Sequence, residues 1–228
     1  MNVRVCFKKI ILLFLCCITL YSKAAAQSQK ATFFLQTDFD QLYLNDSIKI
    51  SKCVIYLTNF KFYNHAELVF KDTNQAHLID LLDPSPIQFN IPANQVYNRV
   101  EFNIGVDSST SVAGILTGDL DPRKGMYWAW QSGYINFKLE GILNTKAQQP
   151  FQYHIGGYAG KLNAIQTISF EVNPNNKYTL SFNFLPMLQY CLAQKQFELM
   201  SPQLKAVQLA KLLSENTTCI KVQNLSNE

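Results

Sequence analysis

The chain has 228 residues, and its formal charge of +4 resides entirely in its first 26 positions. Arg4, Lys8, Lys9 and Lys23 lie there without an acidic residue, so the remaining chain carries 16 acidic and 16 basic residues and no net charge. The apparent basicity belongs to a leader, and composition gives no support to a nucleic-acid partner.

In the opening stretch, MNVRVCFKKIILLFLCCITLYSKAAAQ, the three basic residues Arg4, Lys8 and Lys9 precede an apolar run from Ile10 to Leu20. Ala24 and Ala26 supply the small residues that signal peptidase requires, so a cleavable secretory signal over residues 1–26 is expected, with Gln27 as the new N-terminus. The run is far shorter than the roughly 20 residues of a membrane-spanning helix. Leu15 before Cys16 does not fit a lipoprotein signal. The expectation is a periplasmic or secreted protein with no integral membrane anchor and a single domain over 27–228.

Period-two alternation dominates the chain beyond the leader. ATFFLQT, SIKISKCVIYLTNF, KFYNHAELVF and AHLIDLL are candidate strands, and in NRVEFNIGV the residues Val100, Phe102 and Ile104 share one face. In GYINFKLEG, Ile135, Phe137 and Leu139 alternate with Asn136, Lys138 and Glu140. FQYHIG, QTISFEV (Ile168, Phe170, Val172) and YTLSFNFL (Tyr178, Leu180, Phe182, Phe184) continue the pattern. Turn chemistry separates them at Asn45-Asp46, at Asp83-Pro84-Ser85-Pro86 and at Asn173-Pro174-Asn175-Asn176. Strands with one apolar face must cover it with a second sheet, so an all-β, antiparallel sandwich is expected. The tail differs: Ser201 as cap and Pro202 in the first turn predict a short C-terminal helix over residues 201–214.

Cys6, Cys16 and Cys17 leave with the signal; Cys53, Cys191 and Cys219 remain. Export permits a disulfide, and Cys191 with Cys219, which bracket the C-terminal segment, is the expected pair. Cys53, inside CVIYL, reads as a buried thiol.

The least ordinary stretch runs from Gly105 to Gly141 and holds both tryptophans, Trp128 and Trp130. On an extended backbone these two project to one face together with Met126; aromatic pairs of this kind are commonly core. The preceding segment, Asp107 to Lys124, reads as a solvated loop, because Asp119 and Asp121 lack the Gly and terminal Glu of a calcium loop. Of the three histidines, His154 falls on the face of its strand opposite Phe151, Tyr153 and Ile155, and His77 comes from a distant part of the chain. Two imidazoles with a thioether would suit Cu(I), whereas no Cys or His pair has finger-like spacing for zinc. There is no G-x-S-x-G, no Walker loop and no convincing carboxylate pair, so an enzyme is not expected.

GVDSSTSVAG, then GDLDPRKGMYWAWQSGYINFKLEG, then FQYHIGGY, with ELMSPQLKAVQLAKLL in the tail, resemble the methanobactin-associated copper-binding protein family, the MbnP-like domain. The resemblance implies an exported β-sandwich that binds copper. It also implies a di-haem partner of the cytochrome c peroxidase type, which oxidises a tryptophan to kynurenine. Carried onto this chain, the oxidisable residue is Trp128 or Trp130, His154 matches the histidine of the His-x-Gly-Gly element, and His77 is a looser match. The alternative reading is an envelope structural or protein-interaction sandwich without metal, in which the tryptophans are core.

Overall fold

The computed structural model describes residues 28–39, 48–131, 133–144, 146 and 148–222. The expected signal, 1–26, lies outside the described residues. Four strands form the smaller sheet: β1 (Ser28–Thr37), β5 (Ile87–Pro92), β11 (Tyr178–Phe182) and β13 (Thr217–Lys221), in the order β13-β11-β1-β5. The larger sheet runs β10 (Gln166–Glu171), β6 (Arg99–Ile104), β2 (Ile48–Asn64), β8 (Gly133–Leu143), β9 (Gln149–Gly156), β12 (Glu198–Leu199). Strands β3 (Glu67–Lys71) and β4 (His77–Asp80) add to β2, and β7 (Tyr127–Trp128) adds to β8. Three α-helices accompany them among the described residues: α1 (Ser108–Val112), α2 (Leu185–Ala193) and α3 (Leu204–Glu215).

The fold is the expected mainly-β sandwich with a short C-terminal helix, but its sheets are mixed. Strand β1 runs parallel to β11, and β12 runs parallel to β9. A tight hairpin forces antiparallel pairing, and neither pair is joined by one: most of the larger sheet intervenes between β1 and β11.

The two sheets close on one core. Phe33, Phe89 and Leu180 from the smaller sheet meet Phe60, Phe62, Phe102, Phe137 and Tyr153 from the larger. Phe60 stacks on Phe102 with ring centroids 4.8 Å apart and meets Phe89 at the same separation. Helix α3 contributes Ala206, Leu209, Ala210 and Leu213, spaced to occupy one helical face. It starts later than expected: Ser201 does not cap it, because Gln203 is still extended. Helix α2 and strands β5 and β13 have no counterpart in the sequence reading. The carboxylate of Asp38 holds the start of α2 by accepting from the amides of Phe184 and Leu185 at 2.9 and 3.0 Å.

Two irregularities decide which side chains face outward. Strand β2 shifts register between Thr58 and Lys61, where Asn59 has φ of 56°, a conformation Asn tolerates better than most residues. Cys53, Ile55 and Leu57 therefore face the core before the shift, and Phe60 and Phe62 after it. Strand β8 shifts between Ile135 and Phe137. Phe137 stays in the inter-sheet core beside Ile155, while Ile135 pairs with Gly156 and joins a second cluster. The expected sharing of one face by Ile135, Phe137 and Leu139 thus fails at its first member.

The expected Cys191–Cys219 bridge is absent: Cys53, Cys191 and Cys219 are free thiols. Cys191 lies on α2 and engages the Tyr153 hydroxyl of the larger sheet, whereas Cys219 pairs with Leu180 at the edge of the smaller one. A disulfide needs Cα atoms within about 7 Å and converging Cβ vectors, and these partners hold the two thiols on separate elements.

Candidate functional site

On the outer face of the larger sheet, away from the sandwich, lies a second apolar cluster. It consists of Tyr56, Ala76, Val106, Leu120, Met126, Trp128, Tyr134 and Ile135. Its roof is the segment Asp107–Lys124, which is folded and not the solvated loop expected. Asp107 caps α1 through the Thr110 amide at 2.7 Å, and Asp121 caps a 3-10 turn over Pro122–Lys124. Gly125, with φ of 76°, ends that turn in the left-handed region.

Tyrosine hydroxyls tie the roof down. The Tyr134 hydroxyl accepts from the Leu116 amide at 3.2 Å and faces the carbonyls of Leu120 and Gly114 at 3.0 and 3.1 Å. The Tyr56 hydroxyl donates to the Asp119 carbonyl at 2.8 Å. The Asp119 carboxylate accepts from the Leu78 amide of β4 at 3.0 Å and pairs with Lys124 at 2.6 Å. Asp121 and Asp119, expected in a solvated loop, thus serve as a cap and a strand-edge anchor.

Asn136 stands at the shift in β8. Its side-chain oxygen accepts from the Val106 amide at 3.1 Å, and its side-chain nitrogen is buried without a partner. A Cβ at Gly105, where φ is 108°, would sit 2.4 Å from the Asn136 side chain. The Gly of the GVD sequence is therefore required twice, by backbone conformation and by space.

The tryptophans, which an extended strand would make equivalent, are not. Strand β7 ends at Trp128, which is only 5% exposed; Trp130 lies in the turn beyond it and is 67% exposed. Their rings are 6.0 Å apart at 49°. The six-membered ring of Trp128 lies over Gly156, where a Cβ would come within 2.9 Å of Cζ3. Gly157, with φ of 126°, has the Leu162 carbonyl where a Cβ would go. The two glycines of His-Ile-Gly-Gly thus seat an indole and turn the chain beneath it. Trp128 Nε1 is buried with no hydrogen-bond partner. Beside the ring is an apolar cavity of about 100 Å³ bounded by Gly133, Tyr134, Gly157, Tyr158 and Leu162 among others.

His154 faces outward, opposite Lys138 across the β8–β9 pairing, yet is only 6% exposed. Its Nε2 donates to the Glu140 carboxylate at 2.7 Å, which leaves the lone pair on Nδ1 in the neutral ring. Burial lowers the imidazole pKa below its ordinary value, and the Glu140 bond opposes that shift. His154 and Gly156 share a face of β9 two residues apart, about 7 Å along the strand, and the indole of Trp128 is seated on Gly156. Sequence reading missed Glu140, although its polar place in GYINFKLEG was the available signal.

His77 does not join this group. It pairs with Leu57, which faces the inter-sheet core, and its ring lies 5.6 Å from Phe60 and 5.8 Å from Phe89. Its Nε2 meets the Asp72 carboxylate at 2.6 Å. The two imidazoles are therefore on opposite faces of the larger sheet, which removes His77 from the candidate ligand set. Met126 lies in the outer cluster with Trp128. Among the described residues, no three His, Cys, Asp or Glu side chains gather to hold a metal.

A family model described as MbnP matches residues 23–201. The chain belongs to the MbnP family. Its fold is similar to that of a solved structure, MbnP from Methylosinus trichosporium, at 10% sequence identity and a TM-score of 0.50. The likeness covers 71% of this chain and 78% of that one. Comparison with curated proteins finds no match. In this MbnP family member, the matched region contains the outer cluster, His154 and both tryptophans.

Proposed function

We propose that this MbnP family member is an exported copper-binding protein, periplasmic or released, that acts by binding and not as an enzyme. In this reading Trp128 is oxidised to kynurenine by a di-haem partner of the cytochrome c peroxidase type, and the product joins His154 as a metal ligand.

The observation that carries the reading is that His154 and Gly156, on which the Trp128 indole is seated, share one face of β9. The missing side chain of Gly156 makes room for the indole two residues along the strand from His154. The donor chemistry fits Cu(I). His154 presents a neutral imidazole whose other nitrogen is fixed by a carboxylate, an arrangement that orients metal-ligating histidines. Met126 supplies a soft thioether in the same cluster as Trp128. The Trp128 N–H has no partner to lose, and an aniline-type nitrogen at its place would be a better ligand than an indole. Copper, when bound, would supply redox chemistry or simply be cargo; the protein's part is to hold it away from water beneath the folded segment.

The test is intact mass together with copper content of protein taken from its own envelope. The expected result is an oxygen-for-carbon mass change that maps to Trp128, and fixed copper that is lost in His154→Ala. Copper unchanged in His154→Ala would sink the assignment, and Trp128→Phe should leave neither the mass change nor tight copper.

A further inference from the structure

We infer that Trp130 is the surface electron relay through which Trp128 is oxidised, a step that rests on reading Trp128 as the modified residue. Trp128 is 5% exposed and seated on Gly156, so an oxidant carried inside another protein cannot touch it. Trp130, 67% exposed, has its ring beside that of Trp128 at a centroid distance of 6.0 Å. Electron transfer slows steeply with distance, and two short hops through an indole are faster than one long one. The turn between the rings is held by the Gln131 amide on the Trp128 carbonyl at 3.3 Å, which fixes their separation.

The relay itself consists of two one-electron transfers. Trp130 gives one electron to the oxidised haem of the partner, which is reduced by that electron, and becomes a radical cation. Trp128 then gives one electron to Trp130, which is restored, and the radical cation resides on Trp128. No bond is made or broken in either transfer, and the Nε1 proton of Trp128 stays in place because no acceptor lies against it. Trp130 is thus a positioning and conducting residue, and the oxidised centre that the relay produces is the Trp128 radical cation.

The experiment uses the unmodified protein with photogenerated tris-bipyridine ruthenium(III), a bulky one-electron oxidant independent of any partner. Indole-radical absorbance and peptide masses are read in wild type, Trp130→Phe and Trp130→Tyr. The expected result is a fall of roughly tenfold or more in the rate of Trp128 oxidation in Trp130→Phe. Trp130→Tyr, which keeps a redox-active ring, should restore most of that rate, while thermal unfolding stays unchanged in both. Oxidation of Trp128 at the wild-type rate in Trp130→Phe would overturn the relay. So would products confined to Trp130 with Trp128 intact. The underlying copper reading fails separately, on copper that His154→Ala leaves bound.

Discussion

The molecule has two apolar regions, and they are built by different rules. The inter-sheet core is lined by hydrocarbon from both sheets and two helices, with backbone groups satisfied by ladders. The outer cluster is one face of a sheet covered by a segment without strands, held by hydroxyls and carboxylates on backbone groups. Among the described residues, both buried side-chain atoms without a partner, Trp128 Nε1 and Asn136 Nδ2, belong to the outer region. A buried polar atom left unpaired costs about 1–3 kcal/mol, and under the proposed function the outer region holds the site while the inter-sheet core supplies stability.

Removing aromatic bulk from the inter-sheet core should give the largest effect. Phe60→Ala, which leaves a cavity facing Phe89 and Phe102, is expected to cost about 3–5 kcal/mol in chemical denaturation. A loss below about 1 kcal/mol would mean that the two sheets do not share one core.

The outer region should respond locally. Tyr134→Phe removes the hydroxyl that ties down Gly114, Leu116 and Leu120, at about 1–2 kcal/mol. Hydrogen exchange should quicken at the Leu116 amide and stay unchanged in β6. Equal acceleration in both places would show that the roof and the sandwich open together.

The smallest effect distinguishes free thiols from a bridge. Burial pushes the Cys191 thiol up to about 11 and the Cys219 thiol up to about 12. In the unfolded chain both titrate near the ordinary value of about 8.5. The unfolded state therefore loses these protons first, and stability should decline as pH rises above about 8.5. Alkylation at pH 9 should be slow in the native protein and reach Cys53, Cys191 and Cys219 alike after unfolding. Only one reactive thiol in the unfolded, unreduced chain would restore the bridge.

Much of this was written locally. Alternation in NRVEFNIGV, FQYHIG and YTLSFNFL gave the correct buried faces, because a strand's period of two is a property of the backbone itself. The outward turn of His154 followed from the same rule, and the burial of Cys53 from its place in the apolar stretch CVIYL. What the local pattern could not carry was register. The shift at Ile135–Phe137 moves one residue to the other face, and the pairing of His77 with Leu57 sends its ring into the sandwich. The unequal exposure of Trp128 and Trp130 depends on where β7 stops, which its pairing with β8 sets. Faces within a strand are fixed by covalent geometry; faces between strands depend on which distant residues pair, and that only the tertiary structure decided.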